Sequence, residues 1–512
     1  MLFFLVACAI ETSLKSQEPP VSGRGDAEED VVAQPPDTGA ILSDTSGAAD
    51  SASVPEDEVP PSDTGTVDTG TPDTDVPDTD SPDLPDDDTP PPTSTMDPCP
   101  DAPDIDCPVD ILDASACTRG VAAWLPSGRT FGDFQDALDA ARAGDTVAVC
   151  AGTVRGNWVV RTRDLTVRGY GAATTTLDGG GTGVTLYVEA ANLVVSDLTV
   201  TGGYTEGFGG GIGAENTDLR LCAAAVTDNE AAFGGGVYVA KGTLEVEGGT
   251  FSGNTARTDG GAVGTALGTG PTLVTIVGAT FEGNESTYSG GAIFADIQGG
   301  VAVYGTTFVG NSTGYEGGAV SFNGFTGGAG ACFVDTTFTA NHADYAGGAV
   351  SSNGWGSMSF GYEGCLFDGN TADFGGGAIA YQQWGTDVSV TVDTLFTGNR
   401  SGDHGGAIDL SGGWGVLDAS FYQTTFDGNS ALLAGAIQAG GVGTEILRIV
   451  DGAVTANRAS WAGGVYIDAT TTVEVVNVDF GTGVTDNGPD DVIGYTGWGA
   501  ASSFTCSGAS CR

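Results

Sequence analysis

Few side chains in this chain are equipped for acid–base or metal chemistry. His342 and His404 are the only histidines, and singly they make no metal site. Hydrolysis of a glycosidic bond needs two carboxyl groups a few ångströms apart, one protonated and one ionised. Elimination beside bound calcium needs a strong base, usually Arg or Lys. Between Gly169 and Leu447 the basic residues are only Arg220, Lys241, Arg257 and Arg400. Asp218, Asp403 and His404 are therefore weak catalytic candidates, and no metal site is expected.

A second set of residues is defined by spacing. Asn229, Asn254, Asn284, Asn311, Asn341, Asn370, Asn399, Asn429 and Asn457 recur every 25 to 30 residues. Phe stands three residues before most of them, and the sixth residue after each is Gly, usually followed by a second Gly. Four residues after the Asn come Phe233, Thr258, Tyr288, Tyr315, Tyr345, Phe374, Asp403, Leu433 and Trp461. Six of these nine are aromatic, so stacking the copies makes an aromatic ladder. Facing outward, such a ladder suits sugar rings; facing inward, it is packing, and packing is the reading preferred from sequence.

A phrase that survives changes of intervening length is a repeat, and this period belongs to solenoids. Between the phrases lie alternating runs such as Val301-Ala-Val-Tyr304 and Val388-Ser-Val-Thr-Val392, bounded by Gly and Asn. Period-2 alternation between turn residues reads as short strands. Coils of two or three strands stacked at ~4.8 Å place equivalent residues above one another. The Phe then form an internal stack, as do Ile293, Val320, Val350, Ile379, Ile408 and Ile437. The nine Asn form a hydrogen-bonded ladder at a turn. Gly-Gly supplies positive φ or close backbone approach. The predicted fold is all-β, a parallel β-helix.

Phe281-x-x-Asn284 with Gly290-Gly-Ala-Ile293, and their counterparts, resemble the paired FxxN and GGAI repeats of chlamydial polymorphic outer membrane proteins. The wider resemblance is to right-handed, pectin-lyase-like β-helices, over roughly the last 380 residues. That resemblance implies a right-handed solenoid, and a fold that hosts lyases, hydrolases, adhesins and stalks alike. Asn216-Thr217-Asp218 resembles one motif of polygalacturonase-like hydrolases, and Asp403-His404-Gly405 another, but the Asp paired with the first is missing. The chain also ends at Cys511-Arg512 without strands for a membrane barrel, which speaks against self-transport.

Composition and order fill in the rest. A formal net charge of −51 repels phosphate backbones and excludes nucleic acid as a partner. The ten cysteines suit an oxidising compartment. Residues 1–16 form a signal-like segment in which Leu5-Val6-Ala7-Cys8 resembles a bacterial lipobox. The resemblance implies acylation at Cys8, with Ala9 after it pointing to the outer membrane. Residues 17–98 hold 22 acidic residues and one basic, too charged and proline-rich for a core, so they read as a disordered tether. Their Asp runs leave calcium open as a weakly held ion.

Residues 99–145 form a cap with Cys99, Cys107, Cys117 and Cys150 at or near it. Phe131, Phe134, Leu138 and Ala141 share the spacing of one amphipathic helix that would cover the bore. The β-helix follows over 146–512, with repeat coils at about 226–465 and a last, degenerate coil at about 473–512. A Cys506–Cys511 bridge would close that end. Cys332 and Cys365 share strand parity with the Phe column and read as small buried hydrophobes. Together these readings describe an envelope-attached, non-catalytic stalk or adhesin at the cell surface. Its expected partners are a membrane, through the lipid anchor, and a polysaccharide or cell-surface glycan. The alternative is a polysaccharide hydrolase or lyase.

Overall fold

The computed structural model describes residues 99–494 and 503–507, apart from residues 111, 266–271, 297–298, 325–328, 355, 412–414, 442 and 469–470. All lie in the second of two units, Asp88–Arg512. Cys8, the acidic segment 17–98 and the suggested Cys506–Cys511 bridge fall outside the described residues.

The repeat phrase builds a parallel β-solenoid in which each coil visits up to four sheets. The first sheet starts with Thr146–Val149 and takes the alternating runs, among them Gly300–Tyr304 and Thr386–Val392. The second sheet takes three-residue strands with Phe at the centre, such as Thr307–Val309 and Thr337–Thr339. A third sheet of mostly two-residue strands follows seven of the nine ladder Asn, from Asn229 to Asn399, as at His342–Ala343. After Gly-Gly, strands such as Val320–Gly324 and Val350–Gly354 form the fourth. Among the described residues strand pairing is parallel throughout the stack, and only the entry strands Ala123–Trp124 and Thr130–Phe131 pair antiparallel.

The core is a set of columns. Phe251, Phe281, Phe308, Phe338, Phe367, Phe396 and Phe426 are fully buried and stack at 4.5–5.0 Å with nearly parallel rings. Each such pair contributes about 0.5–1.5 kcal/mol beyond area burial. Ile293, Val320, Val350, Ile379, Ile408 and Ile437 stand in register in the fourth sheet.

The Asn ladder is continuous. Asn341 donates Nδ2 to Asn370 Oδ1 at 3.0 Å and to the Phe308 carbonyl of the previous coil at 3.1 Å. Its own Oδ1 accepts both the backbone N–H and the Nδ2 of Asn311. The same pattern runs from Asn229 to Asn457 and one rung further, to Asn487. These side chains are buried, Asn284, Asn311 and Asn399 among them. The Gly pair has two jobs. Gly347 takes φ +66°, and a Cβ at Gly348 would lie 2.1 Å from the Gly377 carbonyl of the next coil.

The cap contains one α-helix, Phe134–Ala140, N-capped by Asp133 and burying Phe134, Ala137 and Leu138. Phe131 lies outside it in a strand, and Ala141 is its C-cap. Three disulfides join Cys99 to Cys332, Cys107 to Cys222 and Cys117 to Cys150. Cys332 is thus not a buried hydrophobe sharing the Phe parity. Asp335, at φ +49°, turns the corner between the first and second sheets and breaks the two-residue count to Phe338. Cys332 therefore faces outward while Phe333 faces in. Cys365 is free and buried, its thiol pushed up to about 12 by desolvation.

Candidate functional site

The exposed chemistry gathers where the third sheet hands over to the fourth. From Glu285–Ser286 onward the third-sheet strands are only two residues long, and the chain bends at the third and fourth residues after Asn. That bend swings the fourth residue out of the inward parity set by the second. The aromatic column consequently faces solvent: Tyr288 is 55% exposed, Tyr315 44%, Phe374 36% and Trp461 49%. Packing was the sequence reading, and the local bend overturns it.

The column is not one unbroken platform. Tyr315, Tyr345 and Phe374 stack at 4.8 and 5.2 Å with interplanar angles of 9° and 4°. Phe233 stacks instead with Phe208 at 5.4 Å, and Trp461 meets Tyr466 edge-on. Rings stacked in this way present edges and phenol hydroxyls in a row. Asp403 and Leu433 interrupt the column, but the imidazole of His404 takes the place next to Phe374 at 4.8 Å.

His404 belongs to the neighbouring column, five residues after Asn, which runs through Asp259, Ser289, Glu316, Ala346 and Gly375. This column lies over the outer face of the fourth sheet, so its side chains meet that sheet's outward residues. His404 Nδ1 stands 3.6 Å from Asp409 Oδ2, and its Nε2 stands 3.7 Å from Asp403 Oδ2. Asp409 is closed to solvent, and a Cβ at Gly375 would come within 2.3 Å of its Oδ2. Glycine at that point makes the room the carboxylate occupies. The Asp409 carboxylate raises the imidazole pKa; burial opposes this, and Asp403 adds to it.

Glu316 sits in the same column, nearly fully buried, and accepts from Asn353 Nδ2 at 3.0 and 3.3 Å. Burial raises its pKa, with the Asn353 bond opposing. Burial likewise pushes Asp259 up to about 6. Asp409 and Asn353 escaped the sequence reading. The available signal was columnar: ten residues after Asn, the successive copies show Phe294, Ser321, Ser351, Ala380 and then Asp409.

Asp218 does not join this cluster. Its Oδ1 accepts from the Thr243 amide at 3.1 Å and hydroxyl at 2.9 Å, which makes it a turn-binding group. Seven strand spacings of the fourth sheet, ~34 Å, separate its coil from that of His404. Asp403 and His404 are brought together; Asp218 is left out.

Beside the aromatic column runs a shallow groove of about 410 Å³, lined by Arg400, Ser430, Leu432, Arg458 and Ser460. Arg220, Arg257 and Arg448 are paired with carboxylates. Among the described residues, neither Arg400 nor Arg458 makes an ion pair. They bracket Ser430 on successive coils, two spacings or ~9.6 Å apart. Among the described residues no group of three or more His, Cys, Asp and Glu is placed to hold a metal ion, and no helix is long and apolar enough to cross a membrane.

A family model described as the Chlamydia polymorphic membrane protein repeat matches residues 278–296 and 393–411. The second window contains Asp403, His404 and Asp409. No curated protein matches the chain. One solved structure, a mannuronic acid specific polysaccharide family 6 lyase from human gut microbiota, covers 67% of this chain and 83% of its own. The identity is 10% and the TM-score 0.43, too distant to bear on activity. The two matched windows lie in one continuous parallel stack of coils, so the chain is a parallel β-solenoid carrying the repeat of the chlamydial polymorphic membrane proteins.

Proposed function

We propose that the protein is a non-catalytic, envelope-attached adhesin whose aromatic flank binds an extended glycan. The carrying observation is the exposed column from Tyr288 to Trp461. Its six coil steps measure ~29 Å, long enough for several sugars of a polymer. Tyr288 and Trp461 offer apolar surface, and Tyr315 and Tyr345 between them offer hydroxyls at coil spacing. Aromatic side chains bind sugars through such surfaces with little conformational entropy to lose. Arg400 and Arg458 complement carboxylate or sulfate groups on the same chain. The Chlamydia repeat is consistent with a surface location, and Cys8 is the proposed acyl anchor.

A screen of neutral and anionic polysaccharides by affinity electrophoresis tests the reading directly. Retardation by at least one polymer, weakened by salt if the arginines take part, is expected. No retardation across the panel would remove it.

Asp403, His404 and Asp409 favour a second reading, polysaccharide cleavage with His404 as proton-transfer group. Release of reducing or unsaturated ends, lost in His404→Ala, would establish that reading in place of the first.

A further inference from the structure

The N-terminal cap does more than close the bore. Residues 99–110 have no regular secondary structure, yet two disulfides hold them against the outside of the first sheet. Cys107 is bonded to Cys222 on strand Leu219–Cys222, and Cys99 to Cys332 on strand Ala329–Val334. Those strands lie four spacings apart, ~19 Å. Eight residue steps reach ~27 Å at full extension, so the segment spans the four coils in an extended course with some slack, against the direction of the solenoid. It is also seated between its ends. Arg220 donates to the Asp106 carbonyl at 2.9 Å, and Tyr304, on the outward parity of its strand, is only 5% exposed.

Cys99, the first described residue, is therefore fastened to the flank of the solenoid, not to its capped end. The strand that receives it follows Tyr315 and precedes Tyr345 in the chain, on the coil that carries the aromatic stack.

We infer that Cys99–Cys332 and Cys107–Cys222 form a load-bearing clasp. Tension arriving along the N-terminal segment enters the solenoid at Cys332 and bypasses the covalently closed 233-residue span before it. Seven first-sheet strands, from Thr146–Val149 to Gly300–Tyr304, lie inside that span and carry no load. Solenoids unravel coil by coil from whichever end is pulled, because each coil contacts only its neighbours. Moving the point of attack to Cys332 protects the cap and places the pull beside the binding flank. This purpose rests on the glycan reading; the mechanics do not.

The test is single-molecule extension of the full chain, with handles at its two termini, in oxidising buffer and again in reductant. Oxidised protein should unfold with a final length shorter by the 233-residue span, ~800 Å at ~3.4 Å per residue. The Cys99→Ser/Cys332→Ser variant should shift the load to Cys107–Cys222. It should recover 233 − 115 = 118 residues, ~400 Å. If that variant does not fold, the wild-type comparison stands alone. Equal lengths in the two buffers, with the full chain released in both, would overturn the clasp. The reading needs no ligand, so a chain that binds no glycan but shows the missing span keeps the clasp and loses only the binding proposal.

Discussion

The Nδ1 atom of His404 stands 3.6 Å from Oδ2 of Asp409, a carboxylate with no access to solvent. That proximity favours imidazolium, so the folded His404 pKa lies above its ordinary value of 6.5. The stabilisation it brings is fully present below pH 6.5 and is lost as pH rises through the folded value. Asp409→Asn should lower the His404 pKa and shrink that pH dependence to the part that Asp403 supplies. With two histidines in the chain, NMR titration resolves His404 from His342. An unmoved His404 titration would show that Asp409 does not govern it.

Asp387 points into the solenoid interior, and burial pushes its carboxyl up to about 7 against an ordinary 3.8. Its Oδ1 accepts from the Met358 amide at 2.9 Å. The native state holds this proton more tightly than the unfolded state, so stability falls as pH rises from about 4 to about 7. Asp387→Asn keeps the acceptor and removes the charge. It should raise the melting temperature at pH 8, with little change at pH 4. A variant less stable at pH 8 would contradict the assignment.

Asn341 has four hydrogen bonds through its side chain. Asn341→Leu leaves the Phe308 carbonyl and the Asn311 amide without those partners inside the stack. The expected cost is about 1–3 kcal/mol, read as a lower urea midpoint. An unchanged midpoint would mean that the ladder contributes nothing.

Much of this architecture is legible in the residues themselves. Phe-x-x-Asn at a steady phase dictates both the Phe stack and the Asn ladder, because stacking coils puts like on like. What escapes the sequence is whatever depends on a local change of direction. The corner at Asp335 flips the parity on which Cys332 was placed. The bend after His342–Ala343 turns Tyr345 outward. Asp409 meets His404 only because the column after Asn folds over the fourth sheet, a contact that strand alternation does not encode. The partners of Cys99 and Cys107 are equally hidden, since an irregular segment can lie along any face.

Cys8 gives a cellular prediction. Expressed with its native N-terminus, the protein should sediment with membranes, and Cys8→Ser should release it or leave it unprocessed. Several acyl chains hold at ~0.8 kcal/mol per buried CH₂, enough for stable attachment. A soluble native protein with Met1 still present would remove the anchor while leaving the solenoid intact.

The central claim is that the outward aromatic column binds glycan. Its most direct test is affinity electrophoresis or calorimetry of the Tyr315→Ala/Tyr345→Ala variant against a polysaccharide that retards the wild type. These rings lie outside the Phe core, so the variant should keep its β-type circular dichroism. The account predicts at least a tenfold loss of affinity, about 1.4 kcal/mol. Undiminished binding by a folded double variant would contradict it.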